Sequence, residues 1–383
     1  MAYHFTLPGR TVIGENALES CEPYIRGFGK KAFIVTGKIV TKTGLLKVLT
    51  GRLDAWGIAW AAFNDITGEP TDKMISAGVR AYREAGCDFI AAIGGGSPLD
   101  SAKAIGAMTV LDGKISDYMG REISGGFPPL VLIPTTAGTG SEATKFTIIT
   151  DTENDVKMLL KGDALLPDLA VIDPTLTVSS PRDITAATGM DALTHAVESY
   201  TSRRANTLTD MYALDAIKRI FSWLVKAYED GSDKRAREEM AIAAYEAGVC
   251  INNASVTVVH GMSRPIGALF HVSHGISNAM LIAECLAYVL DGCYDRFAAI
   301  ARAIGAADAS ASDKEAAGAF LTSLVKLCGA LNIPTLREYG IVKAEFDAQC
   351  DKMATDAMLS GSPSNTRKDL CRDDLIAIYK KLW

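Results

Sequence analysis

The chain changes its residue pattern near residue 181, and that change limits the fold more than any single motif does. Before it, β-branched apolar runs alternate with helix-like stretches. KAFIVT (31–36), IAWAAF (58–63), DFIAAIGGG (88–96), PLVLIPTT (129–136) and LAVIDP (169–174) read as strands, while 72–86 and 98–108 read as helices. Such alternation predicts a parallel sheet covered by helices. After residue 181 the strand signals stop. Segments 183–201, 206–228, 233–250, 276–290, 293–304, 312–331 and 368–382 read as helices rich in Ala and Leu. The expected fold class is therefore an α/β, Rossmann-like nucleotide-binding domain over 1–180, followed by an all-α domain over 181–383.

Composition excludes several functions. With 383 residues, 48% of them hydrophobic and 22% charged, the chain is long enough for two ordinary cores. A net charge of −6 and the lack of any Lys/Arg-rich run argue against nucleic acid as a partner. No apolar run approaches the roughly 18 residues of a membrane span. The N-terminus lacks the basic and apolar regions of a secretory signal. The eight cysteines are scattered with no C-x-x-C, as expected of reduced thiols in a cytoplasmic protein.

Two loops look built for a dinucleotide. In IGGGSPLDSAKAIG (93–106), three glycines let backbone approach a ligand closely. Ser97 is placed to cap the next helix and Pro98 to occupy its first position. That would turn free N–H groups and the positive end of a helix dipole toward an anion. The run is neither G-x-G-x-x-G nor a Walker loop. A second loop, PTTAGTGSEAT (134–144), also leaves the end of a strand. Two such loops favour a dinucleotide across the sheet edge.

The chain has five histidines, and His260, His271 and His274 lie within 259–275. In TGMDALTHAVESY (188–200), Asp191 and His195 stand i, i+4 on an expected helix, so a carboxylate and an imidazole share one face. With His260 and His274 they form a donor set suited to a divalent first-row metal, Fe(II) or Zn(II). His271, three residues before His274, reads as a pocket or surface histidine without a metal bond rather than as a further ligand. A metal in one half and a nucleotide in the other would imply a cleft between domains. There the metal would act on an alcohol or carbonyl oxygen while hydride passes to or from a nicotinamide.

At these residues the sequence resembles the iron-containing (group III) alcohol dehydrogenases, the family of lactaldehyde reductase and 1,3-propanediol dehydrogenase. The likeness runs through GGGSPLD (94–100), PTTAGTGSEAT (134–144), the pair at 173–174, TAATGMDALTHAVESYTS (185–202) and the HG…HG frame at 260–261 and 274–275. The resemblance implies a dehydroquinate synthase-like architecture and a homodimer or larger assembly. It implies metal ligation by Asp191, His195, His260 and His274. Cofactor binding would fall to Gly94, Gly95, Gly96, Ser97, Asp100, Thr135, Thr136, Thr139, Ser141 and, near the ribose, Lys157.

Two positions depart from the family pattern. Gly37 stands where many members carry an Asp that bonds the adenosine ribose, so NADP(H) is permitted beside NAD(H). Arg264 stands where many have a proton-relaying histidine. An arginine stays protonated, which leaves His271 or a water chain as the relay. Arg264 either has a structural role, pairing with a carboxylate or packing its stem on the cleft wall, or binds an anionic substrate bidentately. In the second case Lys145 would add charge, and Phe146 forms a pocket wall in both. Expected substrates are short aldehydes, anionic ones such as sulfoacetaldehyde or succinate semialdehyde included, or else lactaldehyde and simple alkanals without an anion anchor. Two readings from other classes are a dehydroquinate synthase-like lyase and a catalytically silent nucleotide-binding protein.

Overall fold

In the computed structural model, which describes residues 2–154 and 156–383, the alternating half of the chain forms a six-stranded parallel sheet. In chain order its first unit, Met1–Ser180, carries β1 (Thr11–Ile13), α1 (Glu22–Phe28), β2 (Lys31–Gly37), α2 (Lys38–Lys42), α3 (Leu45–Ala55), β3 (Ala59–Ile66), α4 (Asp72–Ala85), β4 (Phe89–Gly94), α5 (Gly96–Met108), β5 (Leu130–Pro134), β6 (Phe146–Asp151), β7 (Val156–Lys161) and β8 (Leu169–Ile172). The sheet order is β1-β8-β5-β4-β2-β3.

Successive side chains of a strand face opposite sides, and both sides of this sheet are covered. Phe33, Val35, Ile90, Ala92 and Leu132 join Leu99 and Ile105 of α5 in one core. Ile34, Phe89, Ala91, Ile93 and Val131 join Ile25 of α1 and Leu49 of α3 in the other. Burial on both sides explains why the strands read as unbroken apolar runs. The chain runs outward from β2 to β3, then returns to place β4 on the other side of β2. The carboxyl ends of β2 and β4 thus flank the point where strand order reverses, where open α/β sheets bind ligands. Gly37 ends β2 and Gly94 ends β4. Thr135, just past β5, donates its N–H to Gly94 O at 2.8 Å.

Three features of this unit differ from expectation. β6 and β7 form an antiparallel hairpin apart from the main sheet, where no strands are expected. Its half-buried alternation in FTIITD is a period-two signal that no strand assignment used. β1 is a three-residue edge strand, too short to show a pattern. Finally, α5 begins at Gly96 with Gly95 as its N-cap and no side-chain cap. Ser97 and Pro98 are its second and third residues, so Ser97 does not cap the helix.

The second unit, Pro181–Trp383, is helical: α6 (Arg182–Thr201), α7 (Thr207–Glu229), α8 (Lys234–Ala254), α9 (Val258–Phe270), α10 (His274–Val289), α11 (Tyr294–Ala303), α12 (Asp313–Ala330), α13 (Lys343–Leu359) and α14 (Arg372–Lys381). α6 is buried from Thr185 to Thr201 apart from Thr188 and lies against α7, α8 and α10. Neither α9 nor α13 is expected from sequence. α9 holds Val258, Val259, Gly261, Pro265 and Gly267, all poor helix formers, and forms because packing outweighs propensity. No single helix among the described residues is long and apolar enough to cross a membrane.

Candidate metal centre and cofactor loops

α6 supplies the floor of the metal centre. Asp191, His195 and Glu198 fall at i, i+4 and i+7, on one face of the helix, and all three are buried. His260 comes from the first turn of α9 and His274 opens α10. The Asp191 Oδ1 atom lies 3.7 Å from His195 Nε2, 3.6 Å from His260 Nε2 and 3.6 Å from His274 Nε2. Ligand atoms bonded at about 2.1 Å to a tetrahedral ion stand about 3.4 Å apart, close to the three distances from Asp191. All four donor atoms fall within 4.8 Å of one another.

The glycines after the two distal histidines explain how they reach α6. A Cβ on Gly275 would stand 2.5 Å from Ala187 O, and one on Gly261 would stand 2.8 Å from Pro363 Cδ. Only glycine lets α10 start against the backbone of α6, and lets the turn at Pro363 close over α9. The HG…HG frame is thus a packing requirement as well as a ligand pattern.

Glu198 was not singled out from sequence, although it lies in the quoted stretch three residues after His195. Its Oε2 accepts from His260 Nδ1 at 2.5 Å, while its Oε1 accepts from Thr257 Oγ1 and Val259 N, each at 2.6 Å. With its Nδ1–H engaged, His260 presents the Nε2 lone pair toward Asp191. Burial alone would raise the Asp191 carboxyl, but His195, His274 and His260 together hold it well below the usual range. Burial pushes His274 down to about 3 against the pull of Asp191, helped by His260, His195 and Arg264. The Asp191, His195 and His260 side chains are at most 5% exposed and that of His274 is 36% exposed, so the centre opens on the His274 side. The donors suit a divalent first-row ion: one carboxylate, three imidazoles and an oriented second carboxylate behind them.

Arg264 lies on α9 one turn after His260. Its Nη1 donates to Ser362 Oγ at 3.0 Å, its Nε is buried without a hydrogen-bond partner, and no ion pair to it forms among the described residues. The expected carboxylate pairing is therefore not what holds this side chain. Burial lowers its pKa, with Glu198 the opposing charge. His271 is the exposed C-cap of α9 in the left-handed region, φ 54°, and is not one of the four converging donors.

Of the cofactor residues expected in the first unit, Gly37, Gly94, Gly95, Gly96, Thr135 and Thr136 lie at or just past the carboxyl ends of β2, β4 and β5, while Asp100 lies within α5 and Lys157 on β7. The N-terminus of α5 has no side-chain cap, which leaves its first N–H groups without a capping side chain. A Cβ on Gly96 would meet Thr139 Cγ2 at 2.9 Å and one on Gly95 would meet Thr136 Oγ1 at 3.5 Å, so the two loops pack directly together. At Gly37 a Cβ would stand 2.9 Å from Ile66 O. The Asp100 carboxylate turns inward: it accepts from Ser141 Oγ and, at 3.0 Å, from Ile148 N. Lys157 pairs with Glu69 at 2.6 Å, and Lys145 pairs with Asp163 at 2.8 Å. Phe146 is partly buried at the start of β6.

Lys103, beneath these loops, was also missed from sequence. Its buried ammonium donates to Ser141 O, Thr144 O and Phe146 O at 2.6–2.8 Å and to Thr144 Oγ1 at 3.0 Å. A lysine on the inward face of an expected helix, five residues before its end at Met108, gave no signal of its own.

A parallel α/β unit and a helical unit holding an Asp/His metal set define a class. The chain belongs to the iron-containing alcohol dehydrogenase family: residues 8–174 match its description as iron-containing alcohol dehydrogenase and 185–383 match the family's C-terminal part. It is an oxidoreductase acting on CH–OH groups, which removes the lyase and silent-protein readings. It is 35% identical over 363 residues to the NAD-dependent methanol dehydrogenase of Bacillus methanolicus, covering 94% of this chain and 95% of that one. Its fold is similar to a crystal structure of 1,3-propanediol oxidoreductase, with TM-score 0.97, 34% identity and full coverage of both chains. It is also similar to sulfoacetaldehyde reductase from Bifidobacterium kashiwanohense in complex with NAD+, with TM-score 0.89, 26% identity and 100% and 99% coverage.

Proposed function

We propose that the chain is an iron-dependent, NAD(H)-linked reductase of short aldehydes that favours substrates with an anionic group. The observation that carries the reaction class is the convergence of Asp191, His195, His260 and His274 within 4.8 Å. These four side chains would hold Fe(II), with Zn(II) able to use the same donors. Bound there, the ion supplies Lewis-acid polarisation of an alcohol or carbonyl oxygen. The cofactor supplies hydride when bound. Gly94–Ser97 and the loop carrying Thr135, Thr136, Thr139 and Ser141 would bind its phosphates, with Lys157 toward the ribose. Gly37 brings no carboxylate to repel a 2′-phosphate, so NADPH is accepted as well.

The anionic preference rests on Arg264. Its relatives named for methanol and 1,3-propanediol act on uncharged alcohols, while the one named for sulfoacetaldehyde acts on an anion. A guanidinium with one hydroxyl partner and a buried, unpartnered Nε has donors left for a carboxylate or sulfonate. The proton cannot come to rest on Arg264, which leaves the exposed His271 or water to carry it. Lys145 has Asp163 as its partner and would contribute to an anion site only after leaving it, and Phe146 would serve as an apolar wall. A cytoplasmic homodimer or larger assembly completes the proposal, and the free, mostly buried cysteines fit a reducing compartment.

The test uses iron-reconstituted protein, NADH and NADPH, and an anionic and a neutral aldehyde of equal length. Arg264→Ala should lower kcat/KM for the anion by about 10- to 100-fold, the scale of a charged hydrogen bond lost, and that for the neutral aldehyde by less than about threefold. Equal losses on both would remove Arg264 as a substrate anchor. Chelator dialysis should abolish turnover and Fe(II) should restore it.

A further inference from the structure

Beside the four donors lies a side chain that is not one of them. Asn278 stands on α10 one turn after His274 and is fully buried. Its Nδ2 donates to Asp191 Oδ1 at 2.7 Å and lies 3.1 Å from His260 Nε2 and 3.3 Å from His274 Nε2. The other end of the amide, Oδ1, is buried with no hydrogen-bond partner. An unpaired buried carbonyl costs free energy and calls for an explanation at its site.

The distances supply one. A group at similar reach from three corners of a donor set caps the face those corners define. We propose that Asn278 is a positioning residue that closes the Asp191–His260–His274 face of the metal centre and orients the Asp191 oxygen that the histidines face.

Two physical effects follow from its placement. The N–H bond to Oδ1 orients the carboxylate and occupies part of its lone-pair density. The NH2 group also takes the space through which water or a second oxygen would approach that face. Approach is then left to the faces that His195 helps define, and of the four donors His274 is the most exposed, at 36%. Asn278 thereby removes one direction from which a substrate oxygen could reach the centre. The unpaired Oδ1 is the cost of aiming the donor end of the amide inward.

This inference rests on the metal reading, and the test separates the two. Co(II) is loaded into the full-length protein, its visible absorption is recorded and its affinity is measured by chelator competition. The proteins are wild type, Asn278→Ala, which opens the face, and Asn278→Leu, which keeps nearly the same shape without a donor. Both variants should bind Co(II) about tenfold more weakly, as outer-shell losses do. Asn278→Ala should also lose about half or more of its absorption intensity, because an added ligand takes the ion away from a four-coordinate geometry. Asn278→Leu should keep the wild-type intensity. Affinities within about twofold of wild type and unchanged spectra would overturn the role of Asn278 alone. Failure of wild type to bind Co(II) at all would overturn the metal reading. If Asn278→Ala does not fold, the affinity of Asn278→Leu decides by the same limits.

Discussion

The polar clusters around Asp191 and Lys103 are both buried, yet they follow opposite plans. Around Lys103, donors and acceptors satisfy one another: the ammonium meets three carbonyls and a hydroxyl, and the Asp100 carboxylate takes Ser141 and Ile148. Around Asp191, acceptors face acceptors. Three imidazole nitrogens stand 3.6–3.7 Å from one carboxylate oxygen, and the amide of Asn278 donates toward them from one side. The first cluster is closed by the protein, and the second requires a cation. Burial of charge is therefore no guide to a ligand site by itself. What distinguishes one is lone pairs aimed at a common point.

The largest effect should come from the open cluster. Asp191→Ala removes the carboxylate that all three histidines face, and should abolish iron binding and lower kcat by at least about a thousandfold. Metal analysis of the purified variant, with an intact unfolding transition, checks this. Full iron occupancy would break the contrast at its centre.

The closed cluster should respond differently. Lys103→Met leaves three carbonyls without their donor, and should cost about 2–4 kcal/mol in urea unfolding while the metal affinity stays within about twofold of wild type. NADH binding, followed by fluorescence, should weaken because the loop at 135–146 loses its tie to α5. Unchanged stability with lost metal affinity would show the assignment of the two plans to be reversed.

A third group of charges sharpens the contrast as a ligand-free control. Arg219 of α7 bonds Asp215 at 2.7 Å, pairs with Glu239 and lies 3.5 Å from Glu246 Oε2. Burial, then the nearby Asp215, pushes the Glu246 carboxyl up to about 8. A folded-state pKa raised above the unfolded value means that the folded protein holds the extra proton. The associated stability is complete below about pH 4.5 and is lost as pH rises through about 8. Glu246→Gln should therefore raise Tm by about 2–4 °C at pH 8.5 and by nearly nothing at pH 5, with turnover unchanged. A Tm gain independent of pH would exclude titration as its cause.

How much of this was legible varied with the range of the forces involved. The strand–helix alternation and the helical second half are local patterns, and both appear where the pattern places them. Asp191 and His195 were legible because i, i+4 spacing on one helix is also local. Glu198 extends the same face by one turn, and its position in VESY was a usable signal. α13 was missed although Phe346, Cys350, Met353, Ala354 and Ala357 are spaced for one buried face, because charged residues fill the gaps between them. α9 was missed because its glycines and proline speak against a helix, and only its neighbours hold it as one. The crowding of three of five histidines into 259–275 brought His260 and His274 forward, and the resemblance implied them as ligands, since no spacing rule joins positions 65 and 79 residues from His195.

By itself, the sequence determined the two kinds of architecture, the glycine turns and one half of the metal set. Each depends on residues a few positions apart, where backbone geometry is set by local sterics and periodicity. Tertiary structure alone decided that His260 and His274 meet Asp191, that Glu198 orients an imidazole, and that Asn278 lies over the donors. It also decided that Lys103 has every partner it needs while Arg264 has no carboxylate partner among the described residues. Those outcomes depend on which distant groups share a low-dielectric space, and no local rule counts charges or lone pairs across helices that have not yet packed.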